Sequence, residues 1–186
     1  RRQRVLPLMF ARPLLGSDYV AAKVGAMASI LFAFSFIPQL VLYLGNMLVS
    51  DSALDYLTGH LGELWKVPIA VFFLAIYYAV IGVAISSLTD RRIVAGASVI
   101  GLFLITSITS GVIIDSSSGQ GGSMAALINV LALPLQVRDL VFLGSIDPSN
   151  ALGGVEGGGA LAVGLYTVIL LTGVGVLLRR YRWVER

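Results

Sequence analysis

An all-α polytopic membrane bundle is what this sequence predicts, and three observations predict it. Four long runs, Val24 to Val49, Val67 to Leu88, Ile93 to Ile114 and Ala160 to Leu178, contain no Asp, Glu, Lys, Arg or His. Each is about as long as the roughly 20 residues a helix needs to cross the hydrocarbon core. The composition is 57% hydrophobic and 12% charged, whereas a soluble domain carries about 25% charged residues. Finally, the basic residues are segregated. If the segment before the first run is cytoplasmic, that side receives eleven of them: Arg1, Arg2, Arg4, Arg12, Lys23, Arg91, Arg92, Arg179, Arg180, Arg182 and Arg186. Only Lys66 and Arg138 fall outside. Lys and Arg asymmetry sets orientation, so both termini are expected in the cytoplasm of a multi-pass plasma-membrane protein. The net charge of +3 then reflects topology and gives no reason to expect a nucleic-acid partner.

Residues 1 to 23 read as a cytoplasmic, amphipathic lead-in at the bilayer interface, broken at Pro13 and Gly16. Ser17 and Asp18 mark a helix start, because a hydroxyl can cap an orphan N–H and a carboxylate favours the positive end of the helix dipole. The first span should kink at Pro38, which cannot donate a backbone hydrogen bond, with the Gln39 amide beside it at membrane depth. Ser50 to Lys66 forms an acidic external loop in which His60 is expected to be solvated, and Trp65 anchors the second span at the interface. Only Thr89 to Arg92 join the second and third spans, predicting a tight antiparallel hairpin. Ala75 with Ala79, Gly82 with Ser86, and Ala97 with Gly101 have the small-xxx-small spacing that lets helices approach closely.

Residues 115 to 159 are expected to be external, with flexible glycine-rich linkers at Ser116 to Ser123 and Gly153 to Gly159. Between them, Met124 to Leu143 is apolar but contains Pro134, Gln136, Arg138 and Asp139. A full span here would carry the C-terminal arginines outside and place Arg and Asp in the bilayer, at about 2.5 to 3.5 kcal/mol each at mid-depth. Two short interfacial or re-entrant helices, broken near Pro134, are predicted instead.

The chemistry available is limited. Neither lysine follows glycine, so there is no Gly-Lys-Ser/Thr phosphate loop and the chain is not expected to hydrolyse ATP. Gly96 to Gly101 misses the nucleophile-elbow spacing by one residue. With one histidine and no cysteine, neither a catalytic triad nor a transition-metal site is expected. The spans contain no ionisable proton relay. Polar groups at membrane depth are Gln39, Asn46, Tyr77, Tyr78, Ser98 and Thr106, Ser107, Thr109 and Ser110. Thr106, Thr109 and Ser110 share a helical face, and with Gln39 they are the candidate lining of a substrate pathway. The competing expectation is hydrogen bonding between helices or to the preceding turn.

The stretch LPLMFARPLLGSDYVAAKVGAMA, through Arg12, Pro13, Leu14, Ser17, Asp18, Tyr19, Val20 and Lys23, resembles the segment before the third membrane helix in permeases of the type-two ABC exporter family. The tail LLRRYRWVER is similar to the arginine-rich ending of such permeases, and the order of spans fits the last four of their six helices. The chain departs from the family at Leu15 and Gly16, where a basic residue is common. The resemblance implies the C-terminal portion of a longer permease, paired with a second permease subunit as a homo- or heterodimer. It also implies a separate cytoplasmic ATP-binding subunit, so that ATP is bound by the partner and no cofactor by this chain. Arg12, Pro13, Ser17, Asp18, Tyr19 and Lys23 would then lie in the segment that couples to the ATPase. A non-transporting membrane scaffold or accessory subunit is the alternative.

Overall fold

The computed structural model describes residues 16–50, 52–117 and 120–181. Arg12 and Pro13 lie outside the described residues. Among the described residues all regular structure is helical, and four helices are long and apolar enough to cross a bilayer, which makes this a membrane protein. In chain order they are α1 (Gly16–Val49), α3 (Leu61–Ser87), α4 (Arg92–Ser116) and α7 (Gly158–Tyr181). The short helices α2 (Ala53–Gly59), α5 (Gln120–Met124) and α6 (Leu133–Leu143) lie between them, as do single 3-10 turns at Ala125–Ile128 and Ala151–Gly154.

Each long helix exceeds its apolar run because helical backbone continues into the interface. At 1.5 Å per residue the 34 residues of α1 extend about 50 Å, well beyond a hydrocarbon core of about 30 Å. The described part of α1 begins at Gly16, and Ser17 is itself helical instead of capping from outside, while Asp18 keeps its favourable place in the first described turn. The helix continues through Pro38 as one element. Likewise α3 begins at Leu61 and runs through Pro68, so the expected external loop is mostly helical. Within that stretch Ser52 caps α2, its hydroxyl accepting from the Asp55 N–H at 3.4 Å. His60 is not simply solvated: it is half-buried, stacked on Tyr56 at 4.3 Å, and its Nδ1 donates to the Tyr56 carbonyl at 2.9 Å.

α3 is the central helix, packed against α1, α4, α6 and α7. Within the best spanning window of each helix, 44% of α3 is buried, against 6 to 17% for the other three, whose outer faces are left to lipid. Its inner face mixes alanines with Tyr77, Val80, Ile81 and Val83, and Ala75 and Ala79 are buried as their spacing predicts. Tyr77 and Tyr166 stack at 5.0 Å in the main core, together with Leu133, Val137 and Leu152. A second cluster of Val20, Val83, Ala84 and Leu177 ties the start of α1 and the end of α7 to the end of α3. The two described termini and the α3–α4 turn therefore share one end of the bundle, the near end. α2, α6 and the 3-10 turns belong to the far end.

Within the glycine-rich stretches, Gly122 lies in α5 and Gly153 in the second 3-10 turn. A Cβ on Gly122 would meet the Ser117 carbonyl, and one on Gly153 the Asp147 carbonyl, so these glycines permit close backbone approach. The apolar segment before α7 is bent by 107° between residues 121–128 and α6. The break falls at residues 129–132, just ahead of Pro134. Proline is tolerated in the first turn of α6, where an N–H would have no intrahelical partner. At 11 residues, α6 is about 16 Å long and cannot cross alone.

Candidate functional site

Hydroxyl groups decide how deep the broken segment reaches. Tyr77 donates to the Val130 carbonyl at 3.0 Å and Tyr78 to the Leu131 carbonyl at 2.7 Å. Both tyrosines lie near the middle of the spanning part of α3, Leu64–Ser87, so the tip of the segment sits at about mid-depth. From α4, Ser107 donates to Asn129 Oδ1 at 2.9 Å, and Asn129 Oδ1 also accepts from the Ala132 N–H at 3.1 Å. Ser110, only 2% exposed, donates to the Ala125 carbonyl at 2.8 Å. Irregular backbone survives at membrane depth only where protein satisfies its polar groups, and these four hydroxyls do so.

The candidate pathway residues are thus divided. Ser110 is buried beneath the 3-10 turn, Thr106 donates to Leu102 and Phe103 carbonyls of its own helix, and Thr109 is exposed. They do not present one continuous polar wall. Gln39 is exposed on the far half of α1, in a separate groove beside Arg138 and Asp139 of α6. Ser107, Asn129, Tyr77 and Tyr78 are the residues whose joint role was not foreseen. The available signal was a set of hydroxyl side chains in neighbouring spans together with a proline-interrupted apolar segment.

At the near end, Tyr19, Lys23 and Tyr181 form a clasp between α1 and α7. The Lys23 ammonium donates to the Tyr181 hydroxyl at 3.2 Å and lies 5.9 and 5.8 Å from the Tyr19 and Tyr181 ring centres. Cation–π attraction therefore adds to the hydrogen bond. Ser17 and Asp18 are exposed in the first turn beside this clasp.

Lys23 also stands at one end of a groove of about 900 Å³ between α1, α3 and α4. The walls are mostly apolar, with Ile30 and Leu31 of α1 and Val99 and Phe103 of α4, and Tyr78 and Leu131 line it toward mid-depth. The groove thus runs from Lys23 at the near end to the bend ahead of α6 at Leu131. Such a surface can hold an apolar moiety and contribute a positive charge. No protein-family model, no curated protein and no solved structure matches this chain.

Proposed function

We propose that this chain is the membrane-spanning permease subunit of an ABC transporter, exporting its substrate with energy from ATP hydrolysed by a separate cytoplasmic subunit. The observation that supports this reading is the groove that runs from Lys23 to the mid-depth bend at Leu131, where Tyr78 donates to the Leu131 carbonyl. Alternating access needs such a half-path and a closure between it and the far side. The permease-like segment supports the same reading, since Ser17, Asp18, Tyr19 and Lys23 are grouped at the near end with the α3–α4 turn. In this reading the near end is cytoplasmic and a second permease subunit completes the pathway.

Orientation has its own test. In this cysteine-free background, Asp55→Cys should react with an impermeant thiol reagent on intact cells and Asp90→Cys should not. Labelling at 90 with silence at 55 would reverse the topology.

Mild-detergent purification of the full-length protein should recover a second chain with ATPase activity. Asp18→Lys should then reduce substrate-stimulated ATPase several-fold at unchanged membrane abundance. Cap and dipole terms are only about 0.3 to 2 kcal/mol, too small to unfold the bundle. Transport by the protein purified alone, without nucleotide, would remove the ABC reading. Unchanged stimulation would reduce the segment to an interfacial helix start.

A further inference from the structure

A second groove, of about 460 Å³, lies on the far half of the bundle between α1, α3 and α6. Its floor is apolar, lined by Val67, Val71 and Leu74 of α3 and Phe142 of α6. From Val67 to Leu74 the floor descends about 10 Å at helical rise, from the interface into the hydrocarbon layer. Ser35 and Gln39 of α1 form the opposite wall, and Arg138, Asp139 and Asp147 stand together with them around the same space.

The charges are arranged unequally. Arg138 directs Nε and Nη2 to the same oxygen, Asp139 Oδ1, at 3.1 and 2.7 Å, leaving Nη1 without a described partner. Asp139 is only 7% exposed, so this pair is fixed in the wall, while the Arg138 side chain remains 47% exposed. Asp147 is held differently. Its Oδ1 accepts from the Ser149 hydroxyl at 2.7 Å and the Ser149 N–H at 2.8 Å, and it makes no ion pair among the described residues. Those two hydrogen bonds, helped by the charge of Arg138, hold its carboxyl below the usual carboxylate range, so it is anionic at neutral pH.

We propose that this groove binds one membrane lipid with a zwitterionic phosphate–ammonium headgroup. The acyl chain lies on Val71 and Leu74, the phosphate meets the free edge of the Arg138 guanidinium, and the ammonium meets Asp147. A guanidinium edge is suited to phosphate oxygens. A purely anionic headgroup would face two carboxylates, and a purely cationic one would face the arginine. A headgroup carrying both signs meets both, which is what selects it over either. This inference is independent of the permease reading, because any protein with this wall would present the same site.

The test uses the full-length protein reconstituted in phosphatidylglycerol vesicles containing a trace of phosphatidylethanolamine with a photoreactive acyl chain. After irradiation, label should concentrate on the peptides containing residues 35–39 and 67–74. Unlabelled phosphatidylethanolamine should compete about fivefold better than added phosphatidylglycerol or diacylglycerol, the scale of a partly exposed ion pair. Asp147→Asn should abolish that preference, and Ser35→Trp, on the exposed wall, should clear label from residues 67–74. Arg138→Gln is the less useful variant, since it strands a buried carboxylate. Label spread evenly along the lipid-facing side of α7, equal competition by phosphatidylglycerol against the unaltered protein, or an Asp147→Asn protein with unchanged preference would each overturn the proposal.

Discussion

Tyr77→Phe is expected to destabilise the protein by about 1 to 3 kcal/mol, the cost of a buried carbonyl left without its donor. Tyr77 is fully buried, and its hydroxyl is the donor to the Val130 carbonyl. Tyr78 makes a similar bond to Leu131, but in a more exposed place, on the wall of the near-end groove. Its loss should cost closer to the 0.6 kcal/mol or so that interhelical hydrogen bonds in membranes average. The order of the two single mutants is therefore part of the prediction. Removing both hydroxyls should also free the tip: a cysteine at Val130 should react with a membrane-permeant thiol reagent faster when Tyr77→Phe and Tyr78→Phe are combined than with both tyrosines present. Denaturant unfolding in mixed micelles measures the first effect and labelling rate the second. Equal stability of Tyr77→Phe and the unaltered protein would mean that the broken segment is held by packing alone.

The spans were legible because hydropathy reads the environment each residue must occupy. Four charge-free runs became four long helices, and the fifth apolar segment is bent sharply just ahead of Pro134. What hydropathy could not give was the helical ends, since α1 and α3 stay helical through charged residues such as Asp18 and Lys66 that lie outside the apolar runs. The partners of the polar groups were also hidden. Thr106 bonds to its own preceding turn, as local geometry permits, but Ser110 and Ser107 find Ala125 and Asn129 only because the tip folds back against α4. The same applies to the polar groove: Gln39 and Arg138 are far apart in sequence and meet only through the placement of α6. Composition also does not show that at Gly122 and Gly153 the absent side chain makes room for a neighbouring carbonyl.

Glycine also sets the second large effect, at the crossing of α7 and α3. A Cβ on Gly173 would lie 2.6 Å from Val80 Cγ1, and Val80 is 2% exposed. Valine in a helix has essentially one rotamer, so it cannot swing aside as a long side chain would. Gly173→Leu must then push α7 away from α3, which loosens the Tyr77–Tyr166 stack and the Tyr166 hydroxyl bond to the Phe73 carbonyl at 2.9 Å. Overpacking of this kind costs about 1 to 3 kcal/mol, and leucine should be at or above the upper end. The control is Gly175→Leu, where nothing lies within 4 Å of the added Cβ. That change should leave stability within about 0.5 kcal/mol or raise it, because leucine is the better helix former. Thermal unfolding in detergent compares the two. Gly173→Ala separates sterics from propensity: it should destabilise alone and be rescued by Val80→Ala, which removes the opposing methyl groups. If Gly173→Ala were stabilising without that rescue, helix propensity would outweigh the contact, and α7 would be packed on α3 less tightly than the 2.6 Å approach implies.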